Sequence, residues 1–290
     1  MRKLALILVF ASVMTFAQVN RFIYEYSFRA DSTKTDSLKT EWMYLDVTDK
    51  GSVYYSKTAF EADSIINESL KKQLASGTRN ISMSRQNYAS SITYKVEKSY
   101  PSYQSLLITE IGNERYKVTE DRTINWKISS EKKQVGEFNA QKATGQFAGR
   151  SWTAWFTTDI PIQEGPYKFH GLPGLIVAVH DGTGSHRMEL KGVKKMAAVN
   201  QETLDTKGKD IPLIGRKPIM VTRSQYVKLL KQYENDPVQG MRELLNRPNS
   251  TVKINVNGTE YSDSKDILKM MEKTARDNLA ANNNRIELQP

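Results

Sequence analysis

The stretch GPYKFHGLPGLIVAV, residues 165–179, places Gly165, Pro166, Gly171, Pro173 and Gly174 directly before an unbroken apolar run. Gly165-Pro166 and Pro173-Gly174 are turn dipeptides. Pro173 presets its φ and Gly174 tolerates positive φ, so the pair predicts a type II turn. Between the two turns, Tyr167 and Phe169 point the same way and pack. Leu175–Val179 then reads as a central strand buried on both faces. A slip of one residue would reverse every side chain on that strand, so the corner fixes its register. The segment is read as a structural corner that feeds a strand into a sheet.

Outward from this corner, period-two alternation of aromatic and β-branched residues dominates. Residues 21–30 form a strand, and 40–57 form two strands around an Asp-Lys-Gly turn. In Ala59–Ser76, Phe60, Ile65, Ile66, Leu70 and Leu74 recur at helical spacing, with Gly77 as the stop. Strands are expected at Ile92–Lys98, Ser105–Glu110, Glu114–Glu120, Ile124–Ile128, Val135–Thr144 and Trp152–Phe156. Pro161 cannot donate to a ladder, so the last of these should end near Ile160. Leu175–His180 and His186–Gly192 form a hairpin across DGTGS. Beyond residue 193 helical patterns take over. One covers 223–236, capped by Thr222 or Ser224, and one starts at Pro237 and runs through Leu245. A small hairpin is expected at Asn257-Gly258 and a terminal helix over Ser264–Ala280.

The first seventeen residues have the pattern of an export signal. Arg2 and Lys3 precede the apolar run Leu4–Phe16, and Thr15 and Ala17 stand at the cleavage positions before Gln18. The run is too short for a membrane span, and no later stretch is apolar enough for one. The chain has no cysteine, which removes disulfides, thiol nucleophiles, thiolate metal sites and lipidation at an N-terminal cysteine. A chain of 290 residues can bury a core without such staples. Its 42 Lys+Arg against 32 Asp+Glu give +10; without Arg2 and Lys3 the balance is 40 against 32, or +8. The basic residues are interspersed with acidic ones. That, with export, argues against nucleic acid and leaves a solvated surface, with anionic lipid head groups, for membrane-surface association, or surface polysaccharide as partners.

The segment Phe147–Asp181 resembles the GLPGLI family, whose signature stands here as Gly171-Leu172-Pro173-Gly174-Leu175-Ile176. QKAT at 141–144, GR at 149–150, AWF at 154–156, DIPI at 159–162 and GPYKF at 165–169 are similar too. NNRIEL at 283–288 resembles the family's ending, with Arg285 where a proline is usual. The resemblance implies an exported protein of the Gram-negative envelope and no established reaction. It also implies likeness to the curved sheet of lipoprotein carriers. The expected fold is therefore a β-rich α+β one, with a large curved antiparallel sheet (half-barrel or carrier-like) and a few helices. Residues 1–17 are the signal, 18–192 a β domain with one inserted helix, and 193–290 a connecting loop plus a helical C-terminal subregion packed on the sheet.

Candidate chemistry centres on the same region. All three histidines fall at 170, 180 and 186. In a hairpin His180 and His186 could face each other with Asp181 beside them, a set that can hold zinc or copper. Two half-exposed histidines at a strand end are the simpler account, since the motif offers no third firm ligand. A histidine-dependent hydrolase would need one of them beside Ser151 or Ser185, but no G-x-S-x-G marks a nucleophile elbow. DGTGS lacks the lysine and helix of a phosphate loop. Asp159, Glu164 and Asp181 could cleave glycosides if suitably spaced; pairing with Arg150 or Lys168 is the simpler role. Arg150, beside Trp152 and Trp155, suits an ion pair or a cation–π contact. The ligand-contact candidates are Arg150, Trp152, Trp155, Tyr167, Phe169 and His170. Tyrosines 24, 26, 44, 54, 55, 88, 94, 100 and 103 read as sheet packing, or as the lining of an apolar groove if one face stays open. The functional expectation is an exported, non-catalytic module that needs no cofactor and binds a hydrophobic small molecule, a peptide or an envelope protein.

Overall fold

The computed structural model describes residues 18–76, 90–197, 217–246, 253–256 and 259–290. The expected signal at 1–17, the helix stop at Gly77, Tyr88 and the Asn257-Gly258 turn lie outside the described residues. Twelve strands build one open sheet. In chain order they are β1 (Gln18–Phe28), β2 (Lys39–Val47), β3 (Gly51–Ser56), β4 (Lys95–Ser99), β5 (Gln104–Ile111), β6 (Glu114–Thr119), β7 (Lys127–Val135), β8 (Phe138–Phe147), β9 (Arg150–Thr157), β10 (Leu175–Asp181), β11 (His186–Ala197) and β12 (Ile219–Thr222). Their spatial order is β12-β6-β5-β4-β3-β2-β1-β11-β10-β9-β8-β7, so β12 and β7 are the edges and the sheet does not close into a barrel. Every pairing is antiparallel except β12 with β6, which is parallel and makes the sheet mixed. β13 (Ile254–Val256) and β14 (Thr259–Tyr261) form a separate small ladder.

Among the described residues four helices accompany the strands: α1 (Lys57–Ala75), α2 (Arg223–Asn235), α3 (Gln239–Leu245) and α4 (Ser264–Ala281). Thr222 caps α2 through a reciprocal box with Gln225, which satisfies donors that the first turn leaves open. α1 covers the face opposite the main core, where Phe60 packs on Tyr55 with ring centroids 5.4 Å apart.

Strand alternation sorts the side chains as expected. Phe22, Tyr24, Tyr26 and Phe28 of β1 are buried on one face and join Met43, Leu45, Tyr54, Val96, Met188 and Trp152 in a single core. Leu175–Val179 is buried along its whole length. The expected strand at Ile124–Ile128 is displaced: β7 begins at Lys127 and runs to Val135, nearly all exposed. An edge strand wet on both sides carries no burial alternation for pattern reading to find. β9 ends at Thr157, before the expected stop near Ile160.

The turn at Pro173-Gly174 also differs. A type II turn would bond Leu175 N–H to Leu172 O. Instead Gly174 N–H donates to Leu172 O at 2.7 Å, closing a tighter loop over Pro173, and Leu175 N–H donates to Ile160 O at 3.0 Å. Gly174 has φ +157, and a Cβ there would lie 2.0 Å from the Thr157 carbonyl oxygen. Glycine is required here by close approach of a neighbouring strand end.

The loop between β9 and β10, residues 158–174, folds back over the core face. Tyr167, Phe169 and Leu172 are among its most buried side chains. Phe169 contacts Trp152 at 4.6 Å and Tyr167 at 6.0 Å between centroids. The tyrosine-rich face is therefore filled by the chain's own loop rather than left as an open groove.

Candidate functional site

Three buried charge systems tie the filling loop and the C-terminal segment to the sheet. In the first, Lys98 Nζ sits 2.5 Å from Glu164 Oε2, both side chains fully buried. Lys98 also donates to Gly165 O at 2.8 Å and Phe169 O at 3.2 Å. Glu164 Oε1 accepts from Ser52 Oγ at 2.9 Å and Tyr100 Oη at 2.7 Å. Burial lowers the Lys98 ammonium pKa and the Glu164 carboxylate opposes that shift.

In the second, Lys168 Nζ bridges Glu120 at 2.6 Å and Glu287 at 2.5 Å. Arg122 pairs with the same two carboxylates, at 2.7 Å and 2.9 Å. Tyr167 Oη donates to Glu287 Oε1 at 2.6 Å. Burial alone would raise the Glu120 pKa, but Arg122 and Lys168 outweigh it and hold the group at about 2. In the third, Arg150 Nη1 meets Asp181 at 2.8 Å, both buried. Its remaining donors reach Asn284 Oδ1 at 2.6 Å and the carbonyls of Arg285 and Ile286 at 2.5 and 3.1 Å.

The second and third systems grip residues 284–289, an irregular segment that bends at Asn284, Ile286 and Leu288. Asn284 N–H donates to Ala30 O, and both Leu288 and Gln289 donate N–H to Ala148 O, at 2.9, 2.9 and 3.1 Å. Ala148 and Tyr167 hold left-handed backbone at φ +52 and +56, which is uncommon for residues with a side chain. Gly149 follows at φ +84, and a Cβ there would stand 3.1 Å from Leu288 Cβ. Local backbone at 148–149 and 167 is thus shaped around the C-terminal segment. Beside it, between α2, α4 and the segment, lies an open cleft of about 440 Å³ lined by Glu234, Arg276, Leu279, Arg285 and Glu287.

The expected site residues are distributed as follows. Trp152, Tyr167 and Phe169 are core, and Arg150 belongs to the clasp. Trp155 lies on the opposite face, under Lys133 Nζ at 4.0 Å and Lys142 Nζ at 5.8 Å, so lysines rather than Arg150 supply its cation–π contacts. His170 is half-buried and stacks on Tyr103 at 5.2 Å. Desolvation, with Lys98 adding to it, lowers its pKa to about 4.

His180 and His186 do not face each other. His180 stands opposite Arg187 in the register, which puts His186 on the other face beside Asp181. Asp181 spends its carboxylate on Arg150, the Thr183 hydroxyl and the His186 N–H, organising the turn. His186 Nδ1 and Tyr26 Oη share a hydrogen bond of 2.7 Å. Desolvation, with Arg150 nearby, lowers the His186 pKa to about 4. Among the described residues no group of three His, Asp or Glu side chains is placed to hold a metal ion. The hydroxyls of Ser151 and Ser185 bond Gln146 and Thr183 rather than an imidazole. Lys168 takes its carboxylates from Glu120 and Glu287, not from the expected Asp159, Glu164 or Asp181.

Pattern reading missed Lys98, Glu120, Arg122 and Glu287. Only Lys98 left a trace, because it shares the strand phase of buried Val96 and so sits at a core position.

A family described as "Protein of unknown function (Porph_ging)" matches residues 148–178, the segment that supplies Ala148, Arg150, Tyr167 and Lys168 to the clasp. The match is compatible with the GLPGLI resemblance. A search of curated proteins gives no match. Two solved structures of PNGF-II, in C2 and P21 crystals, are similar at 15% and 14% identity, with TM-scores of 0.50 and 0.49. Each alignment covers 75% of this chain and 34% of the other, so this chain spans about a third of their length. At such identity the first likeness bears on the sheet-rich fold alone.

Proposed function

We propose that this chain is an exported, non-catalytic binding module of the Gram-negative envelope whose ligand is an extended peptide or a segment of an envelope client. The observation that carries the reading is the clasp on residues 284–289. It holds an irregular segment largely by its backbone, with buried charged side chains reading Asn284 and Glu287. Main-chain bonds supply affinity in such arrangements and side-chain pockets supply selectivity. The signal pattern at 1–17 supports export to the periplasm or cell surface. Among the described residues no helix is long and apolar enough to cross a membrane.

A hydrophobic small molecule is the weaker ligand class, because Tyr167, Phe169 and Leu172 occupy the face it would need. A histidine-dependent hydrolase is weaker too, since Glu164 and Asp181 are already engaged by Lys98 and Arg150 and the Ser151 and Ser185 hydroxyls do not meet an imidazole. The test is calorimetric titration of the purified mature chain with a panel of extended acidic peptides and, separately, with a fluorescent fatty acid. Peptide binding without fatty-acid uptake is the expected result. Saturable fatty-acid uptake with no peptide heat would overturn it. Turnover of a model ester that vanishes when His170, His180 and His186 are all changed to alanine in a folded chain would also overturn it.

A further inference from the structure

The clasp has the build of a receptor site rather than of ordinary tail packing. Two of the three non-glycine residues with positive φ among the described residues, Ala148 and Tyr167, both bond the C-terminal segment. Such strain persists only where the surroundings over-determine it, and it concentrates at ligand clamps. Gly149 leaves room for Leu288 and Gln289, whose side chains a Cβ there would crowd at 3.1 and 3.2 Å. Arg150 uses its fork on the segment's carbonyls and on the Asn284 amide, while Asp181 holds the fork from behind. Three donors, from Tyr167, Lys168 and Arg122, converge on the buried Glu287 carboxylate. The positions read most closely are Asn284 and Glu287. Arg285 points away to Glu234 at 2.7 Å, and Leu288 is exposed.

The helix that leads into the segment is held weakly by comparison. Within α4 only Ile267 is buried. The segment is thus a firmly gripped ligand on a loosely seated tether.

We infer that the clasp is a recognition site for the C-terminal segment of a second copy of this chain, read through its Asn-x-x-Glu pattern. Residues 283–290 match every contact of the site, so a second copy carries the best-fitting occupant. In the resting chain the site is filled in cis, where tethering gives an effective concentration on the order of millimolar. Exchange in trans follows when that segment is loosened. The inference rests on the binding-module reading and specifies its site and sequence.

The experiment uses the full chain with a protease recognition sequence inserted between Asn282 and Asn283, cut only after folding. The cut segment should stay bound through gel filtration. Excess peptide NNRIELQP should displace it, and the same peptide carrying Glu287→Gln should be about 30-fold less effective, as expected for a lost hydrogen-bonded charge. A second arm uses the uncut chain carrying Glu287→Gln, checked for folding by circular dichroism. That variant should take up labelled NNRIELQP at least ten-fold more tightly than the unaltered chain does. Loss of the cut segment at once, together with no uptake by the uncut variant, overturns the inference, as does equal displacement by the two peptides. These outcomes separate the two readings. If panel peptides bind while the cut segment leaves and cannot be replaced, the module reading stands and the clasp assignment fails. If the segment exchanges selectively while the panel gives no heat, the clasp assignment stands and the module takes its own segment rather than other peptides.

Discussion

Replacing Lys98 by methionine isolates the fully buried pair with Glu164. The substitution nearly conserves volume but removes the one cation that pairs with that carboxylate among the described residues, along with the donors to Gly165 O and Phe169 O. Ser52 and Tyr100 still donate to Glu164, so the carboxylate stays solvated by hydroxyls but loses its countercharge. Removing one member of a buried pair costs about 3–5 kcal/mol. With roughly 2 °C per kcal/mol for a chain of this size, the melting temperature should fall on the order of 8 °C. Lys98→Met/Glu164→Gln should recover at least half of that loss, because a neutral amide can still accept from both hydroxyls and a buried pair is often replaceable as a unit. Thermal unfolding followed by circular dichroism, combined as a double-mutant cycle, reads the coupling directly. A single substitution that costs under about 1 kcal/mol, or a double variant no more stable than the single one, would refute the claim that this pair anchors the loop.

Three further predictions concern stability. Lowering pH from neutrality should reduce the urea midpoint between about 6.5 and 4, because the unfolded chain protonates His170 and His186 while the folded chain, with both near pKa 4, does not. Glu120, held at about 2, extends the loss from about 4.5 downward, since its contribution is present above the unfolded pKa and vanishes through the folded one. A midpoint flat from pH 6.5 to 4 would contradict the histidine part. Gly174→Ala should destabilise by about 3 kcal/mol through collision with Thr157 O, whereas Gly136→Ala, at φ +58 with open space around it, should lose only about 1 kcal/mol of backbone strain. Equal costs in urea denaturation would remove the close-approach argument. Phe169→Ala, emptying a fully buried position against Trp152, should cost about 3–5 kcal/mol and shift the tryptophan emission to the red. An unchanged spectrum would place Phe169 outside the core.

What the sequence could reveal followed from burial. Where a strand has one wet and one dry face, as in β1 with Phe22, Tyr24, Tyr26 and Phe28 alternating inward, its phase is written in the residues. The all-apolar Leu175–Val179 likewise announced a strand buried on both sides. β7 carried no such mark because water meets both its faces, and β12 was too short to show a period. The parallel pairing of β12 is a tertiary fact with no local signature. The motif's turn was located correctly, but its type depends on where Thr157 O lies, a contact set by the neighbouring strand. The clasp was the least legible part. Its partners lie 134 to 136 residues apart along the chain at Arg150, and 120 apart at Tyr167 and Glu287. Arg150–Asp181 was within reach of inference because both belong to one motif. Glu287 stood within the NNRIEL ending, but nothing in that stretch pointed to its partners Arg122, Tyr167 and Lys168.

The middle of the sheet imposes an order of events on biogenesis. β1 lies between β2 and β11, with Phe22 beside Val193, so half of the hydrogen bonds of the earliest strand await a segment made far later. Contacts so distant along the chain slow folding. During synthesis that aromatic ribbon has one side unzipped, an invitation to mispairing that a holding chaperone would have to cover. β1 is thus among the last strands of the sheet to find both neighbours.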